Sequence, residues 1–261
     1  MLRIALVGGF FFLSLPFMIT VQWLLGALKS PLWGPASVAY YRLLRRILRI
    51  NVEIRGQLVT GKPVLIAANH VSWVDIVVLA SIAPMVFVAK REVATWPLIG
   101  WAAKVQKVVF VDRMRRQQTA ATVSEIGLRL SENHPVVLFA EGTSSDGNRV
   151  LPFRSALIGA IESACLEAGL GEVLLQPMAM TYVGQNGLPM GRIRRPLVAW
   201  YGDLDFFPHM ARFMRDGAVD AVVSFGAPAP ATAEADRKEM ARTLEKNVRT
   251  MMIAALRGQA A

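Results

Sequence analysis

The heptapeptide Asn69-His70-Val71-Ser72-Trp73-Val74-Asp75 carries the most chemistry in this sequence. His70 closes an apolar run, Pro63–Asn69, that reads as a β-strand. Reactive groups of α/β folds gather at the carboxyl ends of strands. Ser72 reads as a helix N-cap and Asp75 as a first-turn residue. Positions five apart diverge on a continuous helix, but a histidine outside the helix and an aspartate on its first turn can converge. An aspartate on one ring nitrogen fixes the tautomer and stabilises the imidazolium, and the other nitrogen can take a proton from an alcohol. The alcohol is then the nucleophile, so no serine or cysteine is required. The same residues also fit a capping carboxylate beside a loop histidine bonded to the backbone, and spacing alone leaves both open. His134 in a turn and His209 after Pro208 have no aspartate in a similar relation and read as structural or solvated.

The elements that must position this pair follow from periodicity. Short apolar runs rich in Val, Leu, Ile and Phe predict strands over Asn51–Arg55, Pro63–Asn69, Met85–Lys90, Lys107–Val111, Pro135–Ala140, Val173–Tyr182, Leu197–Tyr201 and Ala218–Phe225. Between them, helices are predicted over Trp73–Ile82, Pro97–Lys104, Gln117–Glu132, Ser155–Ala168, Phe207–Arg215 and Glu234–Leu256. This alternation predicts an α/β domain over residues 51–261, with a mixed, largely parallel sheet flanked by helices.

Residues 1–50 read differently, as a membrane-anchoring helical segment. Ile4 to Leu28 holds no charged residue and is bracketed by Arg3 and Lys29. A bilayer core of about 30 Å needs roughly 20 apolar helical residues, so this stretch is long enough to span. Pro16 could kink it and leave it in one leaflet. A signal peptide would be shorter and end at a small-residue cleavage site. A second helix, Ala36–Arg49, carries Arg42, Arg45, Arg46 and Arg49 among apolar residues. It suits an anionic lipid surface, or a core-packed helix with a solvated side. Arginines after the first segment favour the cytoplasmic side for the main domain.

Composition agrees with lipid contact. Hydrophobic residues make up 54% and charged residues 18%, which excludes a disordered chain. The formal net charge of +10 attracts anionic lipid or an acidic protein. No basic recognition helix or RNA-binding signature supports nucleic acid. The one cysteine, Cys165, excludes an intrachain disulfide and a cysteine-based metal site, and reads as a buried, inert thiol.

Four blocks in order resemble the glycerolipid acyltransferase family, which includes lysophosphatidic acid acyltransferases. The first is the His70–Asp75 stretch, similar to the H-x-x-x-x-D signature. Val109-Phe110-Val111-Asp112-Arg113, Phe139-Ala140-Glu141-Gly142-Thr143 and Leu175-Gln176-Pro177-Met178-Ala179 match the second, third and fourth. The resemblance covers about residues 60 to 205. It implies His70 as base and Asp75 as its orienting partner. It also implies that Arg113 holds the acceptor headgroup, and that Glu141, Gly142 and Thr143 shape the acceptor site. Ala140 stands where the family has proline, and Ser144 where phosphate-binding members have arginine. Arg149 and Arg154 could compensate for the latter. The string from Glu141 to Phe153, and Gly187 to Pro196, are similar to bacterial lyso-ornithine lipid acyltransferases, whose product lacks phosphate.

The expectation is therefore a membrane enzyme, on the cytoplasmic side of a bacterial inner membrane. It moves a fatty acyl group from an acyl-carrier-protein or CoA thioester to the hydroxyl of a lyso-lipid, with lyso-ornithine lipid favoured over lysophosphatidic acid. Membrane lipid and acyl carrier protein are the expected partners, with no metal and no resident cofactor. Two other readings remain: a non-catalytic lipid-binding membrane protein and a thioesterase-like hydrolase.

Overall fold

The computed structural model describes residues 2–111, 119–159, 169, 173–231 and 236–259. Two helices come first, α1 (Leu2–Ala27) and α2 (Trp33–Ile47), followed by β1 (Ile50–Arg55) and β2 (Val64–Ala68). Then come α3 (Val74–Ala80), β3 (Val86–Lys90), a 3-10 turn (Arg91–Thr95), α4 (Ile99–Val105) and β4 (Val109–Val111). The chain continues through α5 (Thr119–Ser131), β5 (Val136–Phe139), a helical stretch over 155–159 and the long β6 (Val173–Gln185). It closes with β7 (Leu188–Pro189), a 3-10 turn (Arg195–Leu197), α6 (Phe206–Asp216), β8 (Val219–Phe225), β9 (Ala229–Ala231) and α7 (Arg237–Leu256).

The strands form a nine-stranded sheet in the order β1-β8-β6-β2-β5-β3-β4, with β7 and β9 also pairing with β6. From β6 to β4 every pairing is parallel, as is β1 with β8. The β6–β8 pairing is antiparallel and makes the sheet mixed, as expected. β2 is buried along its whole length, because helices cover both faces of a parallel centre. Val64, Ile66 and Ala68 pack with α3, α6 and the N-terminal helices on one face. Leu65 and Ala67 pack with Ile126 and Leu130 of α5 and Leu244 and Val248 of α7 on the other.

Helix α1 includes a 23-residue stretch, Ala5–Ala27, long and apolar enough to cross a membrane. It runs unbroken through Pro16. It also packs on the domain: Val7, Leu15, Met18 and Gln22 are buried. The Gln22 side-chain amide donates to the Trp33 carbonyl at 3.2 Å. Leu6, Leu13, Phe17 and Trp23 lie exposed on its other side. In α2, two of the arginines also bond the protein. Arg42 Nε donates to the Ser81 carbonyl at 3.0 Å and Arg45 Nη1 to that of Ile50 at 3.2 Å.

Two local expectations fail. Leu197–Tyr201 is not a strand; it follows a 3-10 turn whose amides bond locally, Leu197 to Arg194 and Val198 to Arg195. Pro196 removes a ladder donor there, and the Trp200 amide turns instead to the Val71 carbonyl at 2.9 Å. Ser72 is not a side-chain cap: its hydroxyl is buried with no hydrogen bond among the described residues. Asp75 caps its own helix from within, as its carboxylate accepts the amides before it.

Candidate active site

The carboxyl end of β2 delivers Asn69 and His70, and the start of α3 delivers Asp75. Asp75 is fully buried, so each of its oxygens must find donors. Oδ2 accepts from His70 Nδ1 at 2.8 Å, the Val71 amide at 2.8 Å and the Ser72 amide at 3.1 Å. Oδ1 accepts from the Tyr182 hydroxyl at 2.6 Å. The bond to Asp75 places the His70 proton on Nδ1 and leaves Nε2 as the acceptor nitrogen. The pair that sequence could leave as a mere cap is therefore a cap and a histidine partner at once.

Three further contacts hold the imidazole. Its ring stacks on Phe139, with centroids 3.9 Å apart and planes at 20°. The His70 amide donates to Glu141 Oε2 at 2.9 Å, and the His70 carbonyl accepts from the Ser145 amide at 2.9 Å. One residue earlier, the Asn69 side chain exchanges two bonds with the backbone of Met180, at 2.9 and 2.8 Å. β2, β6 and the turn after β5 are thus fastened together around one histidine.

Glu141 joins two loops: Oε1 accepts the Leu151 amide at 2.7 Å while Oε2 holds His70. Burial pushes its pKa up to about 8, against the pull of these two amides. Gly142, Thr143 and Ser144 follow it and line the cavity beside His70. Gly147 has a φ of +74°, and a Cβ there would meet Val71 at 3.0 Å and Arg195 at 3.1 Å, so this turn needs glycine. Arg154 Nε donates to the Glu141 carbonyl at 3.2 Å and braces the turn. Neither it nor the exposed Arg149 is among the cavity-lining residues. Arg113 and Cys165 lie outside the described residues.

The cavity has a volume of about 730 Å³ and is mostly apolar. It extends from His70 and Trp73 past Phe87 and Trp96 to Phe11 and Leu15 of α1 and to Tyr40 and Tyr41 of α2. Among the described residues, the ionisable side chains in its lining are Lys90, Glu92, Asp203, His70, Tyr40 and Tyr41. Among the described residues, no group of three or more His, Cys, Asp or Glu could hold a metal ion. The arrangement is therefore a positioned imidazole–carboxylate pair opening on an apolar chamber of ligand size.

Two residues of this site escaped the sequence. Tyr182 sits in an apolar β6 run, where a tyrosine reads as a strand former. Arg195 lies in the stretch Gly187 to Pro196, whose resemblance gives it no role, yet it is 5% exposed. Its guanidinium donates to the Tyr182 carbonyl at 3.2 Å, the Met190 carbonyl at 2.8 Å and Asn148 Oδ1 at 2.6 Å. The signals at Arg195 are that resemblance and Pro196, which follows two arginines and marks a turn.

Residues 49–181 match the family model described as Acyltransferase. The chain is 45% identical over 242 residues to the lyso-ornithine lipid O-acyltransferase of Brucella abortus, covering 93% of this chain and 91% of that protein. Its identity to the enzyme of the same name from Rhizobium meliloti is 42%, over 94% and 82% of the two chains. Among solved structures, a 1-acyl-sn-glycerophosphate acyltransferase from Thermotoga maritima superposes with a TM-score of 0.67, covering 97% of this chain and 93% of that one. At 17% identity that likeness speaks for the fold alone. With the family model spanning half the sequence and near-full-length relatives above 40% identity, this chain belongs to the acyltransferase family and is an acyltransferase.

Proposed function

We propose that the protein transfers a fatty acyl group from an acyl-carrier-protein or CoA thioester to the free hydroxyl of lyso-ornithine lipid at a membrane surface. The observation that carries this reading is the His70–Asp75 pair, bonded at 2.8 Å, at an apolar cavity able to hold an acyl chain. His70 Nε2 takes the proton of the acceptor hydroxyl as its oxygen attacks the thioester carbonyl carbon. Asp75 stabilises the imidazolium that forms. When the tetrahedral intermediate collapses, the carbon–sulfur bond breaks and His70 returns the proton to the leaving thiolate. The products are an ester and a thiol, and His70 is regenerated.

The acceptor is supported by the names of the near-full-length relatives and by Ser144, which lines the cavity where phosphate-binding members carry arginine. A phosphate monoester rewards clustered cations, whereas an ornithine headgroup brings one amine and one carboxylate. Membrane placement is supported by α1. Its exposed side is apolar while its other side is packed on the domain, an arrangement suited to a protein resting in one leaflet with the cavity at lipid depth. The arginines after α1 favour the cytoplasmic leaflet of a bacterial inner membrane.

The test gives purified enzyme in lipid vesicles labelled acyl-carrier-protein thioester, with lyso-ornithine lipid, lysophosphatidic acid or no acceptor, and repeats the series with acyl-CoA. Acyl transfer with the highest kcat/KM on lyso-ornithine lipid is expected. A preference for lysophosphatidic acid would overturn the acceptor. Thiol release at equal rate without acceptor would mean hydrolysis.

A further inference from the structure

Tyr182 is 1% exposed among the apolar residues of the core, where a phenylalanine would pack equally well. A buried hydroxyl is costly unless bonded, and its partner is Asp75 Oδ1 at 2.6 Å. The other Asp75 oxygen already takes three donors, including His70. The phenol is the one donor on Oδ1 among the described residues. We infer that Tyr182 is a positioning residue for acyl transfer: it fixes the free oxygen of Asp75, and through Asp75 the orientation and basicity of His70. The inference rests on His70 being the base.

The fold holds Tyr182 to this task from behind. It pairs with Ala221 of β8 just before a register shift between Tyr182 and Gly184. Its carbonyl is gripped by the buried Arg195, which also binds Asn148 in the turn after β5. A carboxylate with a donor on each oxygen cannot swing about its Cβ–Cγ bond without breaking several hydrogen bonds. The ring nitrogen bonded to Oδ2 is fixed with it. Burial, and then the neighbouring Asp75 charge, hold the phenol well above its ordinary pKa, so it remains a donor.

The electrostatic consequence has a definite sign. A donated hydrogen bond spreads the Asp75 charge and lowers its pull on the imidazole proton. Without it, the imidazolium is favoured more strongly, and the acid limb of the pH–rate profile moves to higher pH. Among the described residues, the other charged groups near the pair are Glu141, backed by Glu245 and Arg154, Arg195 behind Tyr182, and Lys90, Glu92 and Asp203 along the cavity. All of them remain in Y182F, so a shift belongs to the lost hydroxyl.

The experiment measures kcat, KM and pH–rate profiles for the full-length enzyme in vesicles as wild type, Y182F, D75N and Y182F/D75N. We expect Y182F to lower kcat about tenfold, the size set by losing a hydrogen bond to a charged group, with both KM values within about twofold. Its acid limb should move up by roughly half a pH unit. In the D75N background Y182F should add less than about twofold, because its effect passes through Asp75. A fold-preserving arm places 3-fluorotyrosine at position 182; this stronger donor should move the acid limb to lower pH. Superimposable pH–rate profiles, or independent effects of Y182F and D75N, would overturn the inference. H70A separates the two layers: an active H70A removes the base reading itself. An inactive H70A beside a wild-type-like Y182F removes only the role of Tyr182.

Discussion

Among the described residues, two histidines stand beside carboxylates, and their exposure does not tell them apart: the His70 side chain is 20% exposed and that of His134 is 19%. Their carboxylates do. Asp75 is fully buried and lies 2.8 Å from His70 Nδ1. Glu132 is 38% exposed and lies 3.5 Å from His134 Nε2. Asp75 is locked by two backbone amides and a phenol. Glu132 is shared with Lys107 at 3.1 Å and Arg129 at 3.7 Å, and Lys107 also sits 3.0 Å from the His134 ring. Burial and Lys107 both hold the His134 pKa below its usual value, which makes its imidazole a weaker base. What makes an imidazole–carboxylate pair useful is the set of donors that immobilise the carboxylate.

The largest contrast comes from removing each imidazole. H70A should lose roughly 10²- to 10⁴-fold in kcat while staying folded, the range for positioned general-base catalysis. H134A should keep its kcat per folded molecule within about twofold. Both are measured by acyl transfer in vesicles alongside circular dichroism. An H134A enzyme as impaired as H70A would erase the distinction.

Removing each carboxylate charge comes next. D75N can keep its amide oxygen toward His70, Val71 and Ser72 and offer its NH₂ to the Tyr182 oxygen. The fold should therefore survive while the imidazolium loses its counter-charge. We expect kcat to fall about 10²- to 10³-fold, a loss of transition-state stabilisation. E132Q should be within about twofold of wild type.

The two glutamates sharpen the comparison through pH. Burial raises Glu141 to about 8, above the ordinary 4.5, so its contribution to stability is full below about 4.5 and is lost as pH rises toward 8. For Glu132, burial pulls upward, but Lys107, Arg129 and His134 outweigh it and leave the carboxyl below its ordinary value. Its contribution is present above 4.5 and is lost as pH falls further. Melting temperatures across pH should show E141Q flattening the slope between pH 5 and 8, and E132Q flattening it only in acid. At neutral pH, E141Q should also cost about 1–3 kcal/mol, because its NH₂ faces one of two amide donors. The smallest effect is expected from K107A, since exposed ion pairs contribute about 0–1 kcal/mol. Chemical denaturation of the two variants measures both.

The sequence showed most where the site is local or patterned. His70 and Asp75 are five positions apart, and Glu141, in the turn after β5, stood out through the resemblance of its block. The parallel core was readable because β2 and β5 are apolar on both faces. Tyr182 was not readable, because it meets Asp75 across 107 positions and looks like any strand tyrosine. Arg195 lies in a stretch whose resemblance gives it no role, because its three acceptors come from Tyr182, Met190 and Asn148, one of them 47 positions away. Leu197–Tyr201 was misread because Val198 and Ala199 are buried like strand residues. Their backbone follows a turn toward Val71 and pairs with no strand. Ser72 has a capping residue's identity, but Asp75 already held the amides that a cap would serve.

Helix α1 supplies Phe11 and Leu15 to the cavity wall, and Met18 in its next turn accepts from the Gln106 side-chain amide at 3.5 Å. It is therefore not an interchangeable tether. Replacing residues 1–28 with an unrelated hydrophobic helix could return the domain to the bilayer, yet it would leave the chamber breached on one side. The proposed membrane contact and the cavity wall share this one helix, so trimming it removes part of the chamber.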